Sequence, residues 1–188
     1  MAATVTADEQ RVLIDAGLAV LRRAGSEGLT VADVLTEAGL STRAFYRHFD
    51  SKDALVLAIY AHDSRRVSDA MRRRLALANT PRAALESWVD ETLALGFDSR
   101  RARRTRPLAR EGSRLKAEFP AEFSAIEAAL LDPLVTVLRA LRSPDPERDA
   151  RSIHAITWSL VDERMQGSKI TQADARAHVL RFARAGFG

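Results

Sequence analysis

The feature that most constrains this chain is a pair of short amphipathic helices written on either side of Gly39-Leu40-Ser41. Thr30 stands three residues before Asp33, which is capping-box spacing with Asp in place of the usual Glu. Val31, Val34, Leu35 and Ala38 then line one face at helical spacing. Gly39 follows as the residue just past the helix end, where a left-handed backbone costs glycine little. Ser41 caps the next helix, expected over 42–49, and Ser51 caps another expected to run to about 77. Two short helices joined by such a turn form a helix-turn-helix pattern, whose second member is expected to be the recognition helix.

The rest of the chain also reads as helix. Ala, Leu and Arg dominate, and strand-like clusters of alternating β-branched and aromatic residues are hard to find. A first helix is expected over 8–24, after a flexible N-terminus of residues 1–7 and before a turn at Gly25, Ser26 and Gly28. Thr80-Pro81 is a cap with proline at the first helical position, opening a helix to about 97. Further helices are expected over 99–111, over 120–141 with a kink at Pro133, over 147–165, and from 171 or 172 to about 185. The expected fold is all-α with about nine helices. A DNA-binding head of residues 8–56 would precede a larger domain of residues 57–188.

Composition excludes several classes. Cysteine is absent, so there are no disulfides, thiolate metal sites or cysteine nucleophiles. Residues 1–7 lack the apolar stretch of a signal peptide, and no apolar run approaches the ~20 residues of a membrane helix, so a cytoplasmic protein is expected. There is no Gly-x-Gly-x-x-Gly, Walker loop, Gly-x-Ser-x-Gly or His-Glu-x-x-His, which argues against an enzyme. His62, His154 and His178 show no metal-ligand spacing and read as structural or surface residues. No metal and no cofactor is expected. The formal net charge is +4 but unevenly spread: residues 1–56 hold six Lys/Arg against eight Asp/Glu, and residues 57–118 fourteen against eight. The expected head is therefore not globally basic, and the case for DNA rests on local placement.

That placement is specific. Phe45 and Phe49 lie four apart and point inward, while Thr42, Arg43, Tyr46 and Arg47 share the other side of the helix. These four can hydrogen-bond bases or phosphates, and His48 sits on the flank. Arg43 is the best reader of guanine, because a guanidinium bonds both O6 and N7. The helix starts at Thr30, Ser41 and Lys52 offer unpaired N–H groups that attract phosphate.

Residues 11–55 resemble the DNA-binding domain of the TetR family of transcriptional regulators. The resemblance is carried by the Ala38-Gly39-Leu40-Ser41 turn, the Phe45-Tyr46-Arg47-His48-Phe49 block and the Ser51-Lys52-Asp53-Ala54-Leu55 helix start, in the family's order and spacing. It implies base contacts from Thr42 and Arg43, and phosphate contacts from Thr30, Tyr46, His48 and Lys52; Ser41 and Arg47 are added as phosphate contacts from their position. It also implies a homodimer on a palindromic operator, released by a small hydrophobic or amphipathic effector. A ligand-insensitive or activating regulator and a non-specific architectural DNA-binding protein are the alternatives. The ending 177–188 is similar to a common family C-terminus.

Two further expectations concern the larger domain. Trp88, Phe97, Phe119 and Phe123 are expected to line an effector pocket, mostly apolar with a few polar groups. Ile153, Ile156, Thr157 and Leu160, with Val179 and Phe182, form stripes expected to meet a second subunit in a four-helix bundle. Arg100, Arg101, Arg103, Arg104 and Arg106 read as a solvated face with ion pairs; attraction to DNA and binding of an anionic ligand are the alternatives.

Overall fold

A computed structural model describes residues 2–25 and 27–185, so Met1, Ser26 and the closing Gly186-Phe187-Gly188 of the family-like ending lie outside the described residues. Among the described residues there are nine helices and no strand: α1 (Ala2–Ala24), α2 (Val31–Ala38), α3 (Thr42–His48), α4 (Lys52–Leu75), α5 (Pro81–Phe97), α6 (Ser99–Glu118), α7 (Pro120–Ala140), α8 (Pro146–Met165) and α9 (Gln172–Ala185). None of them is long and apolar enough to cross a membrane.

The capping residues act as their chemistry dictates. The Thr30, Ser41 and Thr80 hydroxyls accept from the backbone N–H groups of Asp33, Ala44 and Ala83. Gly39 closes α2 at φ 64°, the left-handed region where a side chain is strained. Two expectations need correction. Helix α1 takes in residues 2–7 rather than leaving them as a flexible tail, since no proline or glycine separates them from the rest of the helix. Helix α6 continues through Pro107 and past 111 to Glu118. An internal proline removes a hydrogen bond, but Leu108 and Leu115 are buried beyond it, and Arg114 binds Glu111 at 2.7 Å, Glu118 at 3.0 Å and Asp53 of α4 at 2.7 Å.

The chain divides into two compact units. The first comprises residues 1–64 and 107–124, the second residues 65–106 and 125–188, so the division falls within α4, α6 and α7. The first unit thus adds residues 57–64 of α4 and the segment 107–124 to the expected head of 8–56. In the first unit α1 packs on α2 and α3, and Leu13, Leu21, Leu29, Phe45, Leu55 and Leu115 are its fully buried centre. In the second, α5 packs against α8 and α9 around Val89, Leu93, Leu134, Leu138 and Val161. A methyl group on Gly96 of α5 would stand 2.8 Å from the Val161 carbonyl oxygen. This close approach of α5 to α8 is open only to glycine.

Candidate nucleic-acid interface and ligand cavity

Helix α3 is held by its underside. Ala44, Phe45 and, just past its end, Phe49 are buried in the first unit. Phe45 stacks edge-on to Tyr46 at 5.3 Å between centroids and lies 5.8 Å from Phe49. Burying Phe45 completely is worth roughly 1.5–3 kcal/mol, and it turns the opposite face outward. Thr42, Arg43, Tyr46 and Arg47 are all exposed there, Tyr46 at 58 % despite its large ring. An aromatic ring this exposed on a small helix is poor packing and ready contact area. The face combines a hydroxyl, a phenol and two guanidinium groups, which suits base edges and phosphates.

The flanking residues are placed as follows. Lys52 is exposed at the first position of α4, beside the cap formed by Ser51, whose hydroxyl accepts from the Ala54 N–H at 3.0 Å. Ser41 is exposed at the start of α3. The Thr30 hydroxyl is engaged within its own cap, accepting from the Asp33 N–H and donating to the Asp33 carboxylate. Arg47 and His48 converge on one oxygen of Glu9 in α1, at 2.9 and 3.1 Å. Glu9 carries no signal in the sequence beyond standing one helical turn before Leu13. Its carboxylate neutralises charge beside two side chains expected to meet phosphate.

The second unit holds a small, partly open cavity of about 40 Å³ among α4, α5, α7 and α8. Trp88, Thr92 and Leu95 come from α5, and Val67, Ser68 and Met71 from α4. Leu130, Leu131, His154 and Trp158 complete the wall. The Ser68 hydroxyl donates to the Ala129 carbonyl at 2.9 Å. Of the four aromatics expected to line a pocket, Trp88 does so. Phe97 instead packs at the edge of the second unit's core under the Arg164 guanidinium, 5.8 Å from its ring centre. Phe119 and Phe123 belong to the first unit, where Phe123 lies 5.2 Å from Tyr60. His154, expected as a structural or surface residue, faces this cavity. The sequence signal was its position four residues before Trp158 on α8, which puts the two rings on one face.

The expected subunit stripe mostly turns inward. Ile153, Leu160 and Val179 are buried in the second unit's own core, Thr157 is buried with its hydroxyl donating to the Ile153 carbonyl, and Ile156 is half-buried. These apolar faces meet α5 before any second chain. Phe182 alone of the six is exposed, at 56 %. In the arginine cluster, Arg101 pairs with Glu91 at 2.8 Å and Arg106 donates to the Met165 carbonyl at 3.0 Å.

A three-helix head that presents a polar recognition face above a buried phenylalanine defines a helix-turn-helix DNA-binding module. Residues 13–59 match the family described as bacterial regulatory proteins, tetR family. It is 36 % identical over 80 residues to the HTH-type transcriptional regulator BetI of Brucella canis, covering 43 % of this chain and 40 % of that protein. It is 40 % identical over 87 residues to BetI of Burkholderia mallei, covering 46 % and 43 %. The chain therefore matches less than half the length of these curated relatives. Over its whole length the fold is that of the transcriptional regulator FadR from Bacillus subtilis, solved in complex with stearoyl-CoA: TM-score 0.70, 16 % identity, 95 % of this chain and 99 % of that one. Reduced NemR of E. coli gives a TM-score of 0.69 at 20 % identity, covering 92 % and 96 %.

Proposed function

We propose that this protein is a dimeric transcriptional repressor that reads a palindromic operator through α3 and leaves it when an effector fills the cavity of the second unit. The observation that carries the reading is the exposed Thr42, Arg43, Tyr46 and Arg47 face, fixed from below by Phe45. Thr42 and Arg43 would contact base edges. Tyr46, Lys52, Arg47 and His48, with the caps at Thr30 and Ser41, would hold phosphates. Two copies would place their recognition helices ~34–36 Å apart, or a multiple, on one face of the duplex. With most of the expected stripe inside the chain's own core, the second copy would meet the outward faces of α8 and α9, where Phe182 stands exposed. Helix α4 supports the coupling: it begins at Lys52 and carries Val67, Ser68 and Met71 of the cavity wall. An effector acts by preferring the conformation whose head spacing misfits the operator, with a coupling of ~1–3 kcal/mol.

The test is selection of bound DNA from a random pool by the full-length protein. An inverted repeat is expected, and Arg43→Ala should relax preference at one base pair per half-site by ~1–3 kcal/mol. Absence of any enriched motif, with equally steep salt dependence on every sequence, would mark a non-specific binder instead. Phe182→Glu is expected to shift the protein toward monomer in sedimentation at micromolar concentration. A variant that sediments as the unaltered dimer refutes this placement of the interface.

A further inference from the structure

The Nδ1 nitrogen of His154 is buried without a hydrogen-bond partner, and among the described residues it is the only buried side-chain nitrogen or oxygen so left. An unmet polar atom in such a place is costly unless something completes it. His154 itself lines the wall of a cavity, framed by two indoles. The Trp88 ring lies edge-on to the imidazole at 6.1 Å and 71°, and the Trp158 ring is tilted at 5.9 Å and 32°. No Lys, Arg, Asp or Glu lines the cavity. An anion entering it would be stripped of water with no counter-charge, and a cation would meet none either, so a charged ligand is disfavoured. Burial pushes the imidazole's proton affinity down, with the Glu127 carboxylate acting weakly in the opposite sense, which keeps His154 neutral. A neutral imidazole nitrogen is a donor or an acceptor according to tautomer, and a hydroxyl group satisfies either. Aromatic rings packed against indoles gain more than the area they bury accounts for.

We propose that the cavity takes a small, uncharged aromatic alcohol of the phenol class, its hydroxyl paired with His154 Nδ1 and its ring against Trp88 and Trp158. The proposal rests on the reading of this cavity as the effector site and names the ligand chemistry.

Trp88 and Trp158 are the chain's only two tryptophans, so the tryptophan emission of the intact protein reports on this cavity. The experiment titrates full-length protein with para-propylphenol, propylbenzene, para-propylbenzoate and heptanol, following emission and heat. The phenol is expected to bind about three- to tenfold more tightly than propylbenzene, the worth of one net hydrogen bond. The benzoate and heptanol should bind more weakly than the phenol. His154→Phe should remove the phenol's advantage over propylbenzene while leaving propylbenzene bound; the probe comparison on unaltered protein decides the matter if that variant does not fold. Propylbenzene or heptanol binding as tightly as the phenol, or the benzoate binding best, overturns the proposed ligand class but leaves the cavity as a ligand site. If no probe binds, the proposal falls. If, in addition, a compound that releases the operator leaves tryptophan emission unchanged, the effector-site reading falls with it.

Discussion

In the first unit the candidate groups Thr42, Arg43, Tyr46 and Arg47 sit on one helix, exposed because Ala44 and Phe45 are buried beneath them. In the second unit they are drawn from four helices, with Val67 and Trp158 at the sequence extremes of the cavity wall. The first arrangement is a surface on a filled core; the second is a hollow left within a core. A surface tolerates exchange of its outward side chains without loss of fold. A hollow has no outward side, so each wall residue serves packing and recognition together. The difference predicts that affinity and stability separate cleanly in the head and only partly in the second unit.

The largest expected effects test the packed side of that contrast. Phe45→Ala should cost the first unit ~3–5 kcal/mol, since a fully enclosed ring leaves a void that neighbours fill poorly. Trp88→Ala enlarges a hollow already present and should fall at the low end of that range, about 3 kcal/mol. Urea unfolding followed by circular dichroism measures both. A Trp88 variant that proves costlier than the Phe45 variant would mean that the cavity wall, not the head, is the better packed region.

Arg43→Ala comes next. Operator affinity should fall by ~1–3 kcal/mol while stability stays within about 0.5 kcal/mol, because the side chain is exposed. Loss of stability equal to the loss of affinity would show that α3 is not a free surface.

The same contrast explains what the sequence discloses. The head is legible because its signals are local: Thr30, Gly39 and Ser41 mark helix ends, and four-residue spacing separates Phe45 and Phe49 from Tyr46. Helical spacing identifies the apolar face expected to meet a second subunit but not what covers it. Ile153 and Val179 fit a neighbouring helix of the same chain as well as a partner. Position along the chain is an equally poor guide to which unit an aromatic residue joins. Phe119 and Phe123 are aromatic and near in sequence to the second unit, yet residues 107–124 fold with the head. Helix α6 runs past its expected end at 111 because burial of Leu115 and the Arg114 ion pairs favour continuation. Glu9 matters through partners distant in sequence, which no spacing rule reveals; the spacing of His154 and Trp158 marks a shared face but not the cavity it borders.

His154 gives the second unit a pH response. Its folded-state pKa lies below the usual 6.5, chiefly through burial. As pH falls through 6.5 the unfolded chain takes up the proton first. The stabilisation is thus fully present above that value and is lost as pH falls toward the folded-state pKa. The slope cannot exceed ~1.4 kcal/mol per pH unit for one proton. His154→Phe should flatten this part of the curve in urea titrations between neutral and mildly acidic pH. An unchanged slope would show that the proton is taken up elsewhere.

The smallest expected effect lies at the edge of the recognition face, where Glu9 holds Arg47 and His48 through one carboxylate oxygen. The Arg47 side chain is about half exposed, so the ion pair contributes at most ~1 kcal/mol to stability. Its larger consequence is electrostatic. Glu9 removes roughly one unit of positive charge from a face that must displace counterions from DNA. Glu9→Gln retains a hydrogen-bond acceptor near His48 but frees that charge. The logarithmic salt dependence of operator binding should steepen by about one, with tighter binding at low salt and little change at high salt. Weaker binding at every salt concentration would show that Glu9 chiefly orients Arg47 and His48 rather than offsetting their charge. The recognition face would then be a surface that depends, like the cavity, on a residue from a distant helix.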